Sequence, residues 1–113
     1  MSSAIEITKS NFQSEVLDAE VPVLLDLWAA WCGPCRTVGP IVDELASDYA
    51  GRIKVGKVDV DAQPELAASF GVSSIPTILL LKDGKVVSTA VGARPKLQLA
   101  AALGLDQHAA AAA

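Results

Sequence analysis

The chain has 113 residues, of which 51% are hydrophobic and 19% are charged, the size and composition of one globular domain rather than of a disordered protein. No basic patch stands out in the sequence, and the net charge of -4 at pH 7 repels phosphate backbones at long range, so no nucleic acid is expected among its partners. We therefore expect a single domain that interacts with proteins or small molecules.

The first residues lack the features of an export signal, since residues 1–6 have neither a cationic start nor an apolar run of secretory length. We expect a cytoplasmic protein on this ground. Ile5 and Ile7 predict a leading strand, and residues 11–17 predict a helix. The segment Val23–Trp28 is then apolar at odd and even positions, which is typical of a central strand covered by helices on both faces.

The spacing of apolar residues becomes helical after this strand. Val38, Val42, Leu45 and Tyr49 lie on one face of a predicted helix, and Gly51 follows where a helix commonly ends on a left-handed residue. Residues 53–59 predict a second strand. Because the connections are short, the strand-helix-strand unit predicts a right-handed parallel crossover.

The second half of the chain predicts a short helix, a hairpin and a last helix. Pro64 suits the first turn of the short helix. Residues 77–81 and 86–91 are strand-like and are joined through Asp83-Gly84, a pair typical of a tight antiparallel hairpin. Pro95 is placed to open the last helix. The sequence therefore predicts an α/β domain with a mixed sheet and helices on both faces.

Two further segments bear on the limits of the domain. Residues 106–113 end in five alanines, so we predict one domain over residues 1–105 and a disordered Ala-rich tail over 106–113. The strongest apolar stretch, residues 75–81, is far shorter than the roughly 20 residues that cross a bilayer. No membrane partner is expected.

The two cysteines lie three residues apart in Cys32-Gly33-Pro34-Cys35, between the buried strand and the long helix. Both side chains then lie on one side of the first helical turn and can reach each other. The free amides and the positive end of the helix dipole favour a thiolate at Cys32, which is the form that attacks disulfides. Gly33 keeps the approach to this sulfur open, and Pro34 stiffens the turn. We expect an exposed, attacking Cys32.

Other uses of the cysteine pair fit less well. A structural disulfide that closes so short a ring restricts the unfolded chain by roughly 2 kcal/mol, against about 5 kcal/mol for a long loop. Such staples are also uncommon in proteins that are not exported. A zinc site needs four ligands, and a cysteine protease needs a positioned histidine, but the only histidine, His108, lies in the predicted tail. We therefore expect a thiol–disulfide oxidoreductase without a metal.

The sequence resembles the thioredoxin family from about Ile5 to Leu103. The residues that carry the resemblance are Trp28-Ala29-Ala30-Trp31-Cys32-Gly33-Pro34-Cys35, Pro40, Ile75-Pro76-Thr77 and Val91-Gly92-Ala93. The resemblance implies the thioredoxin fold, a five-stranded mixed sheet flanked by four helices, and this agrees with the elements predicted above.

The resemblance also implies a general protein-disulfide reductase. In the family, the cysteine matching Cys32 attacks a substrate disulfide, and the cysteine matching Cys35 resolves the mixed disulfide and releases the reduced substrate. The implied partners are disulfide-containing proteins and a thioredoxin reductase that draws on NADPH, for which the monomeric chain is an electron carrier that binds no cofactor itself. Two alternatives stay open: a non-catalytic binding subunit of a larger complex, and an oxidase or isomerase of the same fold.

Asp26 is the one charged residue in the strand Val23–Trp28, and by alternation it shares a face with Leu24 and Trp28. Because poor solvation raises the pKa of a carboxyl group, Asp26 is a candidate proton carrier near neutral pH. A buried aspartate that merely bonds backbone groups is the alternative. The resemblance supports the catalytic interpretation, since the family places a buried aspartate behind the cysteines to help deprotonate the one matching Cys35.

The remaining site residues are implied by the resemblance. Lys57 is expected near Asp26 as a modulator, although a lysine with a solvated tip is nearly as compatible with its strand. Pro76 is expected to follow a cis bond and to shape a groove where a substrate strand bonds backbone groups. The implied apolar rim that substrates touch consists of Trp31, Gly33, Pro34, Ile75, Gly92 and Ala93, with the alternatives that Trp31 is core and Gly92 a bulge. Pro76 is a further implied substrate-binding residue, and Gly33, Pro34 and Pro76 are also expected to modulate the cysteine pair.

Overall fold

The computed structural model describes residues 4–108 and contains one five-stranded sheet with the strand order β1-β3-β2-β4-β5. The strands are β1 Ile5–Glu6, β2 Val23–Trp28, β3 Lys54–Asp59, β4 Thr77–Lys82 and β5 Lys85–Val91. Four helical segments flank the sheet: a short π-helical segment Gln13–Leu17, α1 Gly33–Asp48, α2 Pro64–Ser69 and α3 Lys96–Leu103. The predicted fold class is confirmed.

The sheet is parallel on one side of β2 and antiparallel on the other. β1 and β2 both pair parallel with β3, whereas β4 pairs antiparallel with β2 and β5. In this register Asp26 lies opposite Lys57 on β3 and opposite Ile78 on β4. The strand β2 is thus the centre of the sheet, and α1 is the crossover that connects it to β3, as predicted.

Apolar clusters cover both faces of β2. Leu24 belongs to a cluster with residues of α1 and α3, including Val42 and Leu99. Leu25 and Leu27 belong to a second cluster on the opposite face, together with Ile7. Because no side of this strand faces water, its continuous apolar sequence is the pattern expected for a covered central strand.

The hairpin between β4 and β5 follows from its two turn residues. Asp83 and Gly84 have positive φ angles of 53° and 77°, the left-handed conformation that a two-residue type I′ turn requires at both positions. The pairing shifts register between Leu80 and Leu81. β5 is the last strand in the sheet order and therefore forms one edge of the sheet. Its residues Val86, Val87 and Val91 are exposed.

The two ends of the domain differ from the sequence-based prediction in detail. The first predicted helix is only a five-residue π-helical segment, in which Val16 is the buried residue. At the other end, a 3-10 turn over Leu105–His108 buries Leu105. Residues 109–113 of the predicted tail lie outside the described residues, so the domain boundary stays a prediction. Within residues 4–108, no helix is long and apolar enough to cross a membrane.

Gly56 on β3 gives a test of this packing. A Cβ atom at this position would lie 3.1 Å from Leu25 Cδ2 and closer still to Ile7 Cγ1, whereas a Cβ at Gly33 would meet nothing within 4 Å. We expect Gly56→Ala to lower the free energy of unfolding by about 1–3 kcal/mol through overpacking, and Gly33→Ala to change it by less than about 1 kcal/mol. Urea unfolding of both variants measures this difference, and equal stabilities would contradict the packing described.

Candidate active site

The two cysteines form a disulfide at the start of α1, with their Cα atoms 5.2 Å apart. Cys32 is the N-cap residue of the helix, and the backbone amide of Cys35 donates a hydrogen bond to Cys32 Sγ at 3.2 Å. Pro34 occupies the first turn, where its missing amide proton would have had no helical acceptor. At the start of α1, the backbone amide of Cys35 thus points at the sulfur of Cys32.

Both cysteines are only 4% exposed, so the expectation of an exposed Cys32 is wrong for the disulfide state. The physical reason is that Cys32 and Cys35 form a small buried cluster with Ala29, against which Trp28, Val60 and Ile75 pack. The geometry of the first helical turn gives no information on residues such as Val60 and Ile75, which come from distant parts of the chain. The residues packed around the disulfide therefore control how easily another molecule can reach it.

The segment directly before β4 lies beside the disulfide. The Ile75-Pro76 peptide bond is cis, as the resemblance implied, and the Ile75 carbonyl oxygen lies 3.9 Å from Cys32 Sγ. The Pro76 carbonyl accepts a hydrogen bond from the amide of Gly92 at 2.8 Å. Ile75, Pro76 and Gly92 are thereby brought together beside the disulfide, and the exposed Ala93 follows Gly92 in the chain.

Trp31 lies at the surface and is 67% exposed, so the interpretation of this residue as core is wrong. Its indole N–H donates a hydrogen bond to Asp61 Oδ2 at 2.9 Å, which fixes the orientation of the ring. The sequence analysis missed Asp61. The indole, Ile75 and Val72 help to line an apolar groove of about 350 Å³ next to the cysteines.

Asp26 is 1% exposed on the α1 side of the sheet, and its Oδ1 has no hydrogen-bond partner among the described residues. Burial raises the pKa of Asp26 from 3.8 to about 6, while Lys57 acts to lower it and Asp43 to raise it further. Burial dominates because the ionised carboxylate loses the hydration that stabilises it. The residue is thus able to change protonation state near neutral pH.

A cavity of about 270 Å³ between α1 and the sheet extends from the buried carboxyl group to Cys35. Asp26, Cys35 and Lys57 line it, together with Asp43 of α1. Lys57 Nζ makes its salt bridge with Asp43 Oδ1, at 2.8 Å. Asp43 was not among the residues predicted from the sequence, because its position within an amphipathic helix gives no signal of a partner on the sheet.

A metal ion has no ready ligand set here. Across residues 4–108, no group of three or more His, Cys, Asp or Glu side chains comes together as a metal site would require.

The buried carboxyl group predicts a pH-dependent change in stability. Since the pKa of Asp26 is raised on folding, its ionisation opposes the folded state: the penalty is absent below about pH 4, develops between 3.8 and about 6, and is complete above that. We expect Asp26→Asn to raise the free energy of unfolding at pH 8 by up to about 3 kcal/mol, a gain that disappears at pH 4.

Urea unfolding at the two pH values measures this gain. Glu44→Gln removes one negative charge from an exposed position of α1 and serves as the control, with no comparable gain at either pH. A gain at Asp26→Asn that is the same at pH 4 and pH 8 would show that ionisation is not its cause.

Comparison with known proteins agrees with the geometry. A family model described as Thioredoxin matches residues 3–104. Thioredoxin 1 of Nostoc sp. is 52% identical over 103 residues, which cover 91% of this chain and 96% of that protein. Thioredoxin of Haemophilus influenzae is 51% identical over 100 residues, covering 88% of this chain and 94% of that protein. The chain therefore belongs to the thioredoxin family of disulfide oxidoreductases, with Cys32 and Cys35 as its redox disulfide.

Proposed function

We propose that this protein is a general protein-disulfide reductase, which takes electrons from a thioredoxin reductase and passes them to disulfide-containing proteins in the cytoplasm. The observation that carries the proposal is the disulfide at the start of α1, where the Cys35 amide bonds Cys32 Sγ beside an open apolar groove. On reduction, the same amide and the helix dipole stabilise a thiolate on Cys32.

The exchange has two steps. The Cys32 thiolate attacks one sulfur of a substrate disulfide, which forms a mixed disulfide and releases the other substrate sulfur as a thiolate. Cys35, once deprotonated, then attacks Cys32 Sγ, so that the Cys32–Cys35 disulfide forms and the second substrate sulfur leaves. Two electrons pass to the substrate, and the protein ends in the disulfide state that the structure describes.

Asp26 supplies the base for the second step in this proposal. Its carboxylate receives the Cys35 proton through the cavity that both residues line, either directly or through solvent in that cavity. A pKa of about 6 leaves the group mostly ionised at pH 7 yet basic enough to accept a proton. Lys57 acts as a modulator of this pKa, because its positive charge favours the ionised carboxylate.

Substrate recognition is assigned to the rim around the disulfide. Trp31 and Ile75 offer apolar surface in the groove, and we assign Pro76, Gly92 and Ala93 to the same rim, since the Gly92 amide binds the Pro76 carbonyl and Ala93 is exposed. Gly33 and Pro34 leave the helix start free of bulky side chains, since nothing lies within 4 Å of the position a Gly33 Cβ would take. Contact through backbone groups and a shallow apolar groove favours many different substrate proteins over one.

The proposal that a partner reductase supplies the electrons is based on the absence of a dinucleotide-binding motif from the sequence. Its eight glycines include no dinucleotide-binding fingerprint, so NADPH is used indirectly, through exchange with a partner reductase. The protein then acts as a monomeric carrier. An oxidase or isomerase of the same fold would differ in reduction potential, and a non-catalytic subunit would not need its cysteines.

A coupled assay with NADPH, a thioredoxin reductase and two unrelated disulfide proteins tests the proposed function. We expect turnover with both substrates, its loss in Cys32→Ser, and a stable mixed disulfide in Cys35→Ser that mass spectrometry detects. Glu44→Gln, on the exposed side of α1, should keep turnover within about twofold of the unmodified protein. Turnover by Cys32→Ser would refute the assigned attack.

The acidity of the Cys32 thiol gives a second test. Because the Cys35 amide and the helix dipole stabilise the anion, the alkylation rate of Cys32 in the reduced, folded Cys35→Ser chain should reach its midpoint about one pH unit or more below 8.5. The same variant unfolded in urea should show a midpoint near 8.5. Identical midpoints in both states would remove the proposed activation.

A further inference from the structure

Lys57 lies between two carboxyl groups that belong to different elements. Its register partner on β2 is Asp26, and neighbouring strands lie about 4.8 Å apart, so the ammonium group can reach the cavity beside this residue. In the structure, however, Lys57 Nζ binds Asp43 Oδ1 of α1 at 2.8 Å. The lysine is thus held toward the helix.

The environment of this ion pair makes it stronger than a surface pair. The side chains of Lys57 and Asp43 are 27% and 38% exposed, and both line the cavity that contains Asp26. Partial burial reduces screening by salt and water, so each charge in the cavity acts on the others at close range. The position of one ammonium group therefore decides how strongly the buried carboxylate is stabilised.

We propose that Asp43 is a positioning residue for this site: by holding Lys57 toward α1, it keeps the ammonium group away from Asp26 and sets the pH range in which Asp26 exchanges protons. This proposal rests on the proposed function, in which Asp26 accepts the Cys35 proton. Asp43 itself touches neither sulfur in the proposed steps, and it acts through Lys57.

The other charged groups around Asp26 do not account for this effect. From α1, the cavity is faced by Cys35, Asp43 and Arg36, whose guanidinium group donates a hydrogen bond to the Ala30 carbonyl at 3.0 Å. From β3 the cavity is faced by Lys57, and on β4 the register partner of Asp26 is the apolar Ile78. Among the described residues, the charges that act on the pKa of Asp26 are those of Lys57, which lowers it, and of Asp43, which raises it.

The arrangement has a chemical purpose. If Lys57 paired directly with Asp26, the carboxylate would be held ionised and would be a weak base at neutral pH. With Lys57 bound to Asp43, the proton affinity of Asp26 stays high enough for it to receive a proton and return it to solvent. The pair therefore tunes the second step of the exchange, without contributing an atom to it.

The direct test is the titration of the Asp26 carboxyl carbon by NMR in the oxidised chain. Asp43→Asn is expected to lower the pKa of Asp26 by about 1, because Lys57 is released toward it and a like charge is lost. Glu44→Gln, which removes the same charge from the exposed side of α1, should leave it unchanged, and Asp43→Glu should restore the original value. An unchanged pKa in Asp43→Asn overturns the proposal.

A double variant separates positioning from a direct charge effect. In a Lys57→Met background, Asp43→Asn should lower the pKa of Asp26 by less than half as much as in the unmodified chain. An equal shift in both backgrounds would mean that Asp43 acts through its own charge, and the positioning role would be wrong. In the reduced chain, the pH midpoint for resolution of the mixed disulfide should move in the same direction as the pKa.

These measurements test the positioning role of Asp43 separately from the proposed reductase function. The carboxyl titration needs no substrate and no reductase, so it reports on Asp43 and Lys57 even if the proposed reductase activity is absent. Conversely, an active reductase in which the Asp26 titration ignores Asp43 would keep the proposed function and reject the positioning role.

Discussion

The burial of β2 on both faces is the constraint on which the site depends. Leu24 packs on the α1 side and Leu25 on the other, so this strand has no freedom to shift. Its end therefore fixes where α1 begins, and with it the position of Cys32 at the N-cap. The same burial removes water from Asp26 and raises its pKa. One packing arrangement thus both places the sulfurs and prepares the base behind them.

The sequence predicted those parts of the molecule that depend on neighbours in the chain. The continuous apolar run of β2, the helical spacing after Pro34 and the Asp83-Gly84 turn each specify local structure, and each is found. Burial and a raised pKa at Asp26 were also predictable. A carboxyl group in a strand that is covered on both faces must be buried, and burial raises its pKa.

Contacts between distant segments could not be predicted in this way. The burial of Cys32 depends on Val60 and Ile75, which pack against the cysteine cluster from distant parts of the chain. The hydrogen bond from Trp31 to Asp61 and the salt bridge from Lys57 to Asp43 depend on how loops and α1 settle on the sheet. The periodicity of the sequence indicates which face of a helix or strand is apolar. It does not indicate which polar group on a neighbouring element a side chain will contact. The finer electrostatics of the site therefore required coordinates.

The free edge of β5 has a consequence for the behaviour of the protein in solution. The opposite edge of the sheet, β1, is only two residues long, whereas β5 offers seven residues with exposed valines at positions 86, 87 and 91. A long apolar edge is a template for pairing with another chain, and the register shift between Leu80 and Leu81 together with Lys85 at its start works against such pairing. The features that blunt this edge against pairing with another chain therefore lie in one hairpin, remote in sequence from the cysteines.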